Sequence, residues 1–376
     1  MNTAELPIIE LRGSPRERGR IYGEAAQQPI KEVIDYWRDS LGGAGIATQQ
    51  NPDSYLQAFL ADTNFIPSIE RWAPELLEEV RGIAEGAQQD FHTILALQWI
   101  DEEWTYGRTH KLERPNTKCT AFAVADGKEG TLAGQTMDVP SWVEGRQVLL
   151  RIRPGDGAPE TLVFSIAGVI GLNGVNASPL GITCNSLPQL SSSSDGLPVA
   201  FIVRSILAYR DIDQAEEFLR AIKQASGQNY ILSAPNDVRC FECSSTGVIR
   251  YMPKDGDRRV FHTNHPLAST DKSDTSELTI SQLKNTKARL DSICKRLGEG
   301  SQPRSLDDAK AALAAHDDPE NPVSRRINPT NIGNSIGYTA SASIYEFGAT
   351  PRLHLAAGPP CETAFKVFDF KATPES

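Results

Sequence analysis

The spacing of apolar residues changes near Cys119, and this change limits the folds that the chain can adopt. Before Cys119, apolar residues recur every three or four positions, as expected of helices. In "PELLEEVRGIAEGA" they form one stripe: Leu76, Val80, Ile83 and Ala87. From Cys119 onward the period falls to two, in runs such as "CTAFAV" and "QVLLRIR". The sequence therefore predicts a helical first third, followed by a region that is rich in strands.

The first helix has a clear start signal. Ser14 precedes Pro15, and Glu17 follows Ser14 by three positions. A serine N-cap, a proline at the first helical position and a glutamate at the third make a capping box. We expect this helix to begin at Pro15.

Helices also interrupt the strand-rich region, and they do so in blocks. They are expected at 198–210, 211–225, 276–297 and 305–317, with groups of short strands around them. Such blocks favour antiparallel sheets covered by helices over a regular βαβ alternation. The predicted fold class is α+β.

Charge and composition exclude several classes of partner. Lys and Arg total 38 against 48 Asp and Glu, a net charge of −10, which does not suit nucleic-acid binding. No run approaches 18 apolar residues, and the N-terminus lacks the pattern of a signal peptide. Six widely spaced cysteines favour reduced thiols. We expect a cytoplasmic protein whose partner is a small molecule, not a nucleic acid or a membrane.

Three other motifs suggest different chemistry. "RCFEC" contains a Cys-x-x-Cys, but Cys240 and Cys243 are expected on opposite faces of a strand, which does not suit a metal site. "GNSIG" matches a serine nucleophile elbow around Ser335, but the residues after it predict a strand where the elbow requires a helix. His262 and His265, in "HTNHP", suit a turn better than a metal site. We predict neither a metal nor a cofactor.

Cys119 follows a segment rich in helix breakers, "RPNTK". A free thiol has an ordinary pKa near 8.5 and needs a base to act as a nucleophile at neutral pH. A histidine from a distant part of the chain is one candidate base. The other is a free α-amino group on the same residue, with a pKa of about 7.7 to 8.0, which requires cleavage of the Lys118–Cys119 bond. A buried structural cysteine is the alternative to both.

Six blocks of the sequence resemble, in the same order, those of the penicillin acyltransferase family. They are "IIELRGSPRERGRIYGEAA", "PELLEEVRGIAEGAQQD", "KCTAFAV", "GQTMDV", "GVIGLNGVNASPLGITCNSL" and "HTNHP". The resemblance implies the four-layer αββα sandwich of the N-terminal-nucleophile hydrolases. It also implies an inactive precursor that cuts itself before Cys119. The products would be a helical small chain, 1–118, and a catalytic large chain, 119–376, folded as one unit.

The resemblance implies roles for five residues. Cys119 resembles the nucleophile, and Asp138 resembles the acid that holds its amine, although an aspartate also suits a turn. Asn264 and Asn185 resemble amide donors to an oxyanion, with a turn as the alternative for each. Arg289 resembles an arginine that reaches the site in the related bile-salt hydrolases. Its alternative place is a solvated helix face.

Two positions depart from the family pattern. Gln135, a candidate substrate-binding residue, stands where the bile-salt hydrolases carry arginine, which argues against recognition of an acidic group there. Lys118 stands where the fungal enzyme has a small residue before its cysteine.

The predicted function is hydrolysis or transfer of the acyl group of a linear amide through a thioester on Cys119. Hydrolysis is preferred because nothing in the sequence marks a coenzyme A pocket. The cleaved fragments are expected to remain together as a heterodimer. The alternative is an uncleaved, non-catalytic protein of the same fold that binds a small molecule.

Overall fold

The N-terminal segment contains one strand before its helices. The computed structural model describes residues 6–43, 51–110, 118–155, 157–253, 256, 258–271, 278–327 and 337–370. The first of these ranges opens with β1 (Ile8–Gly13). The helices that follow are α1 (Pro15–Ala25), α2 (Gln27–Gly43), α3 (Pro52–Asp62), α4 (Ile66–Trp72), α5 (Pro74–Ala87), α6 (Phe91–Gln98) and α7 (Ile100–Thr109). The prediction of a wholly helical first third is therefore wrong at β1.

Local signals place two of these helices as predicted. Ser14 caps α1, its hydroxyl accepts from the Glu17 N–H, and the Glu17 carboxylate accepts from the Ser14 N–H, which is the expected capping box. The predicted stripe of α5 is buried along its whole length. Both predictions are confirmed.

Strands and helices then alternate in blocks, as expected. The first block holds β2 (Lys118–Val124), β3 (Thr131–Pro140), β4 (Gln147–Pro154), β5 (Thr161–Ile166), β6 (Asn173–Asn176) and β7 (Gly181–Ser186). Two helices follow, α8 (Val199–Ile206) and α9 (Ile212–Ala221). The remaining elements are β8 (Gln228–Ala234), β9 (Asp237–Cys243), β10 (Val248–Tyr251), β11 (Arg259–His262), α10 (Ile280–Ile293), α11 (Leu306–Leu313), β12 (Gly337–Phe347), β13 (Pro351–Ala356) and β14 (Lys366–Asp369).

The strands form two sheets. The first sheet has the order β1-β4-β5-β6-β7-β8-β9-β10 and is antiparallel except where β1 runs parallel to β4. The second has the order β11-β2-β3-β12-β13-β14 and is antiparallel throughout. Pairing of β1 with β4 joins the N-terminal segment to a sheet whose other strands follow Cys119.

The sheets pack face to face and helices cover both outer faces. β2 and β3 of the second sheet lie against β7 and β8 of the first. Phe122 and Val124 point away from that interface into a core formed with Ile293 of α10 and Leu313 of α11. On the other side, the Tyr22 hydroxyl of α1 donates to the Ile166 carbonyl beside the first sheet. The result is the predicted α+β sandwich with αββα layers.

Glycines on both helices bring α1 and α5 into backbone contact, among them Gly19 of α1 and Gly82 of α5. A Cβ at Gly19 would overlap the Glu79 carbonyl, and a Cβ at Gly82 would overlap the Arg16 carbonyl. This close approach fixes the outer helical layer against the first sheet, because α1 also packs on β1.

Candidate active site

Cys119 is the second residue of β2, and its side chain faces the other sheet. Alternation along the strand sends Cys119 and Ala121 to the interface between the sheets and Phe122 to the helical side. The Cys119 N–H donates to Asn264 Oδ1 at 2.8 Å. The Cys119 carbonyl accepts from Arg289 Nη1 at 2.5 Å. Both backbone polar groups of this cysteine are therefore held by side chains that the sequence had singled out.

Asn264 follows β11 and is 7% exposed. Its Oδ1 accepts from Arg289 Nη2 at 2.9 Å as well as from Cys119, and its Nδ2 donates to the Ser186 carbonyl at 3.0 Å. These partners fix the orientation of the amide, with its oxygen towards Cys119. One N–H of Nδ2 is used by Ser186, which leaves the second N–H for another acceptor.

Arg289 lies on α10 and is only 1% exposed, so the alternative place on a solvated helix face is wrong. Besides Cys119 and Asn264, it donates to Thr120 Oγ1 at 3.0 Å and to Asn285 Oδ1 at 3.0 Å. Burial lowers the pKa of Arg289 to about 10, while the charge of Asp138 acts in the opposite direction. The guanidinium is therefore charged at neutral pH.

Asp138 lies within β3, directly across from Lys118, so its alternative reading as a turn residue is wrong. It is 2% exposed, and its Oδ1 accepts from Thr339 Oγ1 of β12 at 2.6 Å. Burial raises the pKa of Asp138, an effect that Arg325 and the Thr339 hydrogen bond partly offset. The carboxyl is thus held in place beside the Lys118–Cys119 peptide bond.

The Cys119 thiol is protonated at neutral pH in this uncut chain. Burial raises its pKa to about 12, and the charge of Asp138 adds to that effect. Arg289 and the Asp138 backbone N–H act in the opposite direction. The thiol therefore needs a base to become a nucleophile.

Lys118 is half-buried at the start of β2. Burial and the positive charges of Arg325 and Arg289 lower its pKa to about 7, while Asp138 acts in the opposite direction. The predicted cleavage linker before it, 114–117, lies outside the described residues.

Asn185 and Gln135 are fully buried polar side chains with unused hydrogen-bonding groups. Asn185 lies in β7, a strand and not a turn, and neither of its side-chain polar atoms has a partner among the described residues. Gln135 Oε1 accepts from the Cys184 N–H at 2.7 Å, while its Nε2 has no partner there. Unpaired buried polar groups are rare in folded proteins and often mark functional sites.

Asn185 belongs to the interface between the sheets near Asn264. A Cβ at Gly181 would touch Tyr345 of the second sheet, so alternate residues of β7, including Asn185, face the same way. The next residue, Ser186, accepts from Asn264 Nδ2. The structure thus brings Cys119, Asp138, Asn264 and Arg289 into one cluster, with Asn185 on the strand beside it.

Sequence reasoning missed several residues that support this cluster. Thr339 binds Asp138, and Asn285 binds Arg289 from one turn earlier on α10. The Thr286 hydroxyl accepts from the Asn264 N–H at 2.8 Å. The i, i+4 spacing of Asn285 and Arg289 is a signal that was available in the sequence. Thr339 carried no signal, because its partner is 201 positions away in the chain.

Another missed residue, Glu242, anchors the segment that carries Asn264. Its carboxylate is 0% exposed and accepts from His262 Nε2 at 2.9 Å. It also accepts from the backbone N–H groups of Ala268 and Ser269. Burial alone would raise the pKa of Glu242, but these hydrogen bonds hold it below its usual value. A charged residue at an inward position of an apolar strand is the sequence signal for such a role.

The histidines have partners other than Cys119 in the described part of the chain. His262 binds Glu242, so it is not the turn residue expected, and His354 Nε2 binds Glu346 at 2.8 Å. His265 contacts the Thr286 hydroxyl at 3.0 Å. No histidine ring nitrogen there hydrogen-bonds to Cys119, although all six histidines are described.

The Cys-x-x-Cys motif and the serine-elbow motif have the contexts that the sequence predicted. The side chain of Cys240 faces the second sheet, and Asn229 of the neighbouring strand β8 donates to its sulfur. Cys243 lies three residues later, on the opposite face of β9. Both are free thiols. Ser335 lies outside the described residues, but β12 begins at Gly337, so a strand and not a helix follows the motif. Within the described ranges, no cluster of three metal-ligating side chains occurs. No helix among them is long and apolar enough to cross a membrane.

The two facing, mostly antiparallel sheets between helical layers form the αββα sandwich that the sequence predicted. The sequence model of the acyl-coenzyme A:6-aminopenicillanic acid acyl-transferase family matches residues 125–353. The chain belongs to this family. The chain is 26% identical over 263 residues to the 40 kDa form of acyl-coenzyme A:6-aminopenicillanic-acid-acyltransferase from Emericella nidulans. The aligned residues cover 69% of each chain.

Three solved structures are also similar. An N-acylethanolamine-hydrolyzing acid amidase ortholog from Caenorhabditis elegans matches with a TM-score of 0.41 and 12% identity, covering 60% of this chain and 92% of that one. A variant of conjugated bile acid hydrolase from Clostridium perfringens matches with a TM-score of 0.42 and 12% identity, covering 69% of this chain and 99% of that one. Penicillin V acylase from Agrobacterium tumefaciens matches with a TM-score of 0.35 and 13% identity, covering 67% of this chain and 86% of that one.

Proposed function

We propose that this protein is a self-processed cysteine amidohydrolase or acyltransferase that acts on a linear amide of a small molecule through an acyl-thioester on Cys119. One observation carries the proposal: the N–H and the carbonyl of Cys119 are both bonded to buried side chains, Asn264 and Arg289. β11 pairs with β2 only from Ala121 onward, so these two side chains, and not a strand, bind the backbone of Cys119 on that side.

The base in this proposal is the α-amino group of Cys119. Cleavage of the Lys118–Cys119 bond turns the backbone N–H that now donates to Asn264 into a free amine. An α-amino group has a pKa of about 7.7 to 8.0, so a useful fraction is unprotonated near neutral pH. Asn264 Oδ1 would hold that amine beside the thiol, and Asp138 would supply a compensating charge when the amine carries the proton.

The reaction then proceeds in two balanced steps. The Cys119 sulfur attacks the amide carbonyl while its proton passes to the α-amine. The carbon–nitrogen bond breaks, and the leaving amine takes that proton. Water or a second amine then attacks the thioester and gives up a proton to the α-amine. The carbon–sulfur bond breaks, and the α-amine returns that proton to the sulfur, which releases the acid or the new amide and restores the thiol.

The oxyanion of each tetrahedral intermediate requires donors in a water-poor site. The free side-chain amide of Asn185 and the second N–H of Asn264 Nδ2 are the donors that we assign. Arg289 adds a buried positive charge next to Cys119. Removing one oxyanion donor typically lowers turnover about 100- to 1,000-fold.

Self-cleavage would give 1–118 and 119–376, which are expected to stay associated. Pairing of β1 with β4 and the close contact of α1 with α5 support this expectation, since separation would expose their apolar faces. Lys118 would become the new C-terminus of the small chain.

The substrate class follows from the family. The Emericella nidulans relative is named as an acyltransferase to 6-aminopenicillanic acid from acyl-coenzyme A. Hydrolysis and acyl transfer share one thioester, so we assign N-acylated small molecules as acyl donors and water as the preferred acceptor.

Trapping the thioester tests the proposal. Purified protein is mixed with a panel of N-acyl amines and N-acyl amino acids, quenched in acid, digested and analysed by mass spectrometry. We expect the acyl mass on the peptide that begins at Cys119, and none in Cys119→Ala protein. Cys294→Ala, at a half-buried free thiol, is the matched control and should still trap the acyl group. An uncut chain that binds a panel member without forming a thioester would instead be a binding protein.

A further inference from the structure

A cavity of about 390 Å³ lies on the outer face of the first sheet, away from Cys119. Its walls come from the junction of α4 and α5, from the adjoining ends of β4 and β5, and from the end of α8. Thr161, one of its lining residues, pairs with Asn176, and Gly181 lies at the same end of the sheet. Ser186, which binds Asn264, is at the opposite end of β7. The cavity is therefore separate from the proposed active site.

The base of this cavity carries an excess positive charge. Arg18 and Arg204 both line it, and the side chain of each is 5% exposed. Both bind the same buried carboxylate, Glu79, which is their carboxylate partner among the described residues. Two guanidinium groups face one carboxylate, so one positive charge remains to be balanced.

Two donors at this place have no hydrogen-bond partner among the described residues. Arg18 donates through Nε to Glu79 and through Nη1 to the Gly13 carbonyl, but no described residue accepts from its Nη2. Thr161 Oγ1 is likewise buried without a partner among the described residues. Buried polar groups normally have partners, so unused donors in a cavity wall point to an occupant that accepts hydrogen bonds.

The upper walls are apolar and held in place. Trp72 and Tyr209 both pack against Phe218, with ring centroids 6.1 Å and 5.6 Å away. Pro74 and Leu207 complete these walls. Glu75 is exposed at the rim, which disfavours a second negative charge at the outer end of an occupant.

We propose that this cavity is a binding site for a small amphipathic carboxylate, with the carboxylate on Arg18 and Thr161 and an apolar body between Trp72 and Tyr209. A carboxylate accepts in the planar, forked geometry that a guanidinium offers. The volume falls in the range of small-ligand sites, about 300 to 1,000 Å³. The site needs no chemistry at Cys119.

The binding test uses 3-phenylpropanoate as the probe and 3-phenylpropanamide as its uncharged counterpart. Isothermal titration calorimetry of the full chain should show one saturable site for the carboxylate, with a Kd on the order of 1 mM, as befits a ligand of this size. The amide should bind at least about tenfold more weakly, because it cannot balance the charge of Arg18. In spectra of ¹⁵N-labelled protein, the carboxylate should shift the indole signal of Trp72, which Trp72→Phe identifies, and leave that of Trp142 in place.

Variants locate the site. Arg18→Met should weaken binding of the carboxylate at least about tenfold. Arg20→Met, an exposed arginine on the same helix, is the matched control and should not change it. Because Arg18→Met alters a buried ion pair, Ala208→Trp supplies an independent test: it fills the cavity from its exposed edge and should abolish binding without touching Glu79. Absence of saturable binding, equal binding of the amide, or undiminished binding by Ala208→Trp would each overturn the proposal.

Discussion

Two buried arginines, Arg204 and Arg289, are held in opposite ways. Arg204 is 7% exposed and donates to both oxygens of Glu79. Arg289 is 1% exposed, and within the described residues its hydrogen bonds end on neutral oxygens, those of Cys119, Thr120, Asn264 and Asn285. One arginine has a carboxylate in direct contact, and the other is anchored without one.

This difference separates a structural charge from a functional one. A buried ion pair holds elements together, and breaking it leaves an uncompensated charge. A buried cation bonded to neutral groups keeps its charge available, so it stabilises negative charge that develops nearby during a reaction. Glu79 ties α5 to α1 and α8, whereas Arg289 ties α10 to the residue that we propose as the nucleophile.

The same substitution at both arginines should have the largest effects. Arg204→Met leaves Glu79 with Arg18 alone and should lower the free energy of unfolding by about 3 to 5 kcal/mol. Arg289→Met removes a desolvated charge, so we expect a smaller loss of stability but a fall in turnover of roughly 100- to 1,000-fold. Urea unfolding and turnover per folded molecule measure the two effects.

Arg296→Met, at an exposed arginine just after α10, is the control for Arg289→Met. It should change neither stability nor turnover appreciably. If Arg204→Met lowered turnover per folded molecule as much as Arg289→Met does, the distinction between the two arginines would be lost.

The neutral partners of the site should affect rate more than stability. Asn264→Ala and Asn185→Ala should each lower turnover by roughly 100- to 1,000-fold, because each removes a proposed oxyanion donor. Circular dichroism and urea unfolding should show that both variants remain folded. An Asn264→Ala protein that unfolds while its folded fraction stays fully active would show that Asn264 only shapes the loop after β11.

Buried glutamates extend the comparison to acids. Glu79 lies between two arginines, which more than offset the effect of burial and hold its pKa below the usual value. Glu102 binds Ser226 and the Val199 N–H, and burial, aided by the charge of Asp101, raises its pKa to about 8. At neutral pH the folded protein therefore keeps a proton on Glu102. The unfolded chain releases that proton near the ordinary pKa of the side chain, 4.5.

The contribution of Glu102 to stability is therefore full below about pH 4.5 and is lost as the pH rises through 8. In the wild type, the free energy of unfolding should fall by a few kcal/mol between pH 5 and pH 9 because of Glu102. Glu102→Gln stays neutral at every pH, so this fall should be absent from the variant. Urea unfolding over that range measures it. Glu129→Gln, at an exposed glutamate, should leave the wild-type pH dependence unchanged.

The smallest expected effect concerns the hydrogen bond that orients Asp138. Thr339→Val removes a buried hydroxyl and should lower turnover several-fold, equivalent to about 1 kcal/mol. Losing that bond should also raise the pKa of Asp138 and move the acidic limb of the pH–rate profile upward. Thr339→Ser keeps the hydroxyl and should restore both. A Thr339→Val profile identical to that of wild type would remove Thr339 from the account.

The sequence predicted elements better than it predicted partners. Period-two alternation placed β2, and the capping box placed α1, because both signals are local. β1 and β14 were missed for different reasons. β1 depends on a distant neighbour, β4, whereas β14 is an edge strand of four residues, too short to show a clear period of two. Such pairing is not written in the short segment itself.

The same limit applies to the candidate site. Resemblance to the family named Cys119, Asn264 and Arg289, and the structure brings them together. Glu242 carried a local signal, but that signal did not identify its partner, His262 of the other sheet. The contact of Thr339 with Asp138 on the neighbouring strand β3 had no local signal. The orientation of Asn264, with its oxygen towards the Cys119 nitrogen, required the hydrogen-bond network of the folded chain.

The most direct test is the intact mass of the purified protein under denaturing conditions. The account predicts two masses for the wild type, those of 1–118 and 119–376, which elute together before denaturation. Cys119→Ala should give the single mass of the 376-residue chain. Edman degradation of the larger wild-type fragment should begin with the sequence that follows Lys118. A wild-type preparation that turns over an amide substrate while showing only the intact chain would contradict the claim that the Cys119 amine is the base.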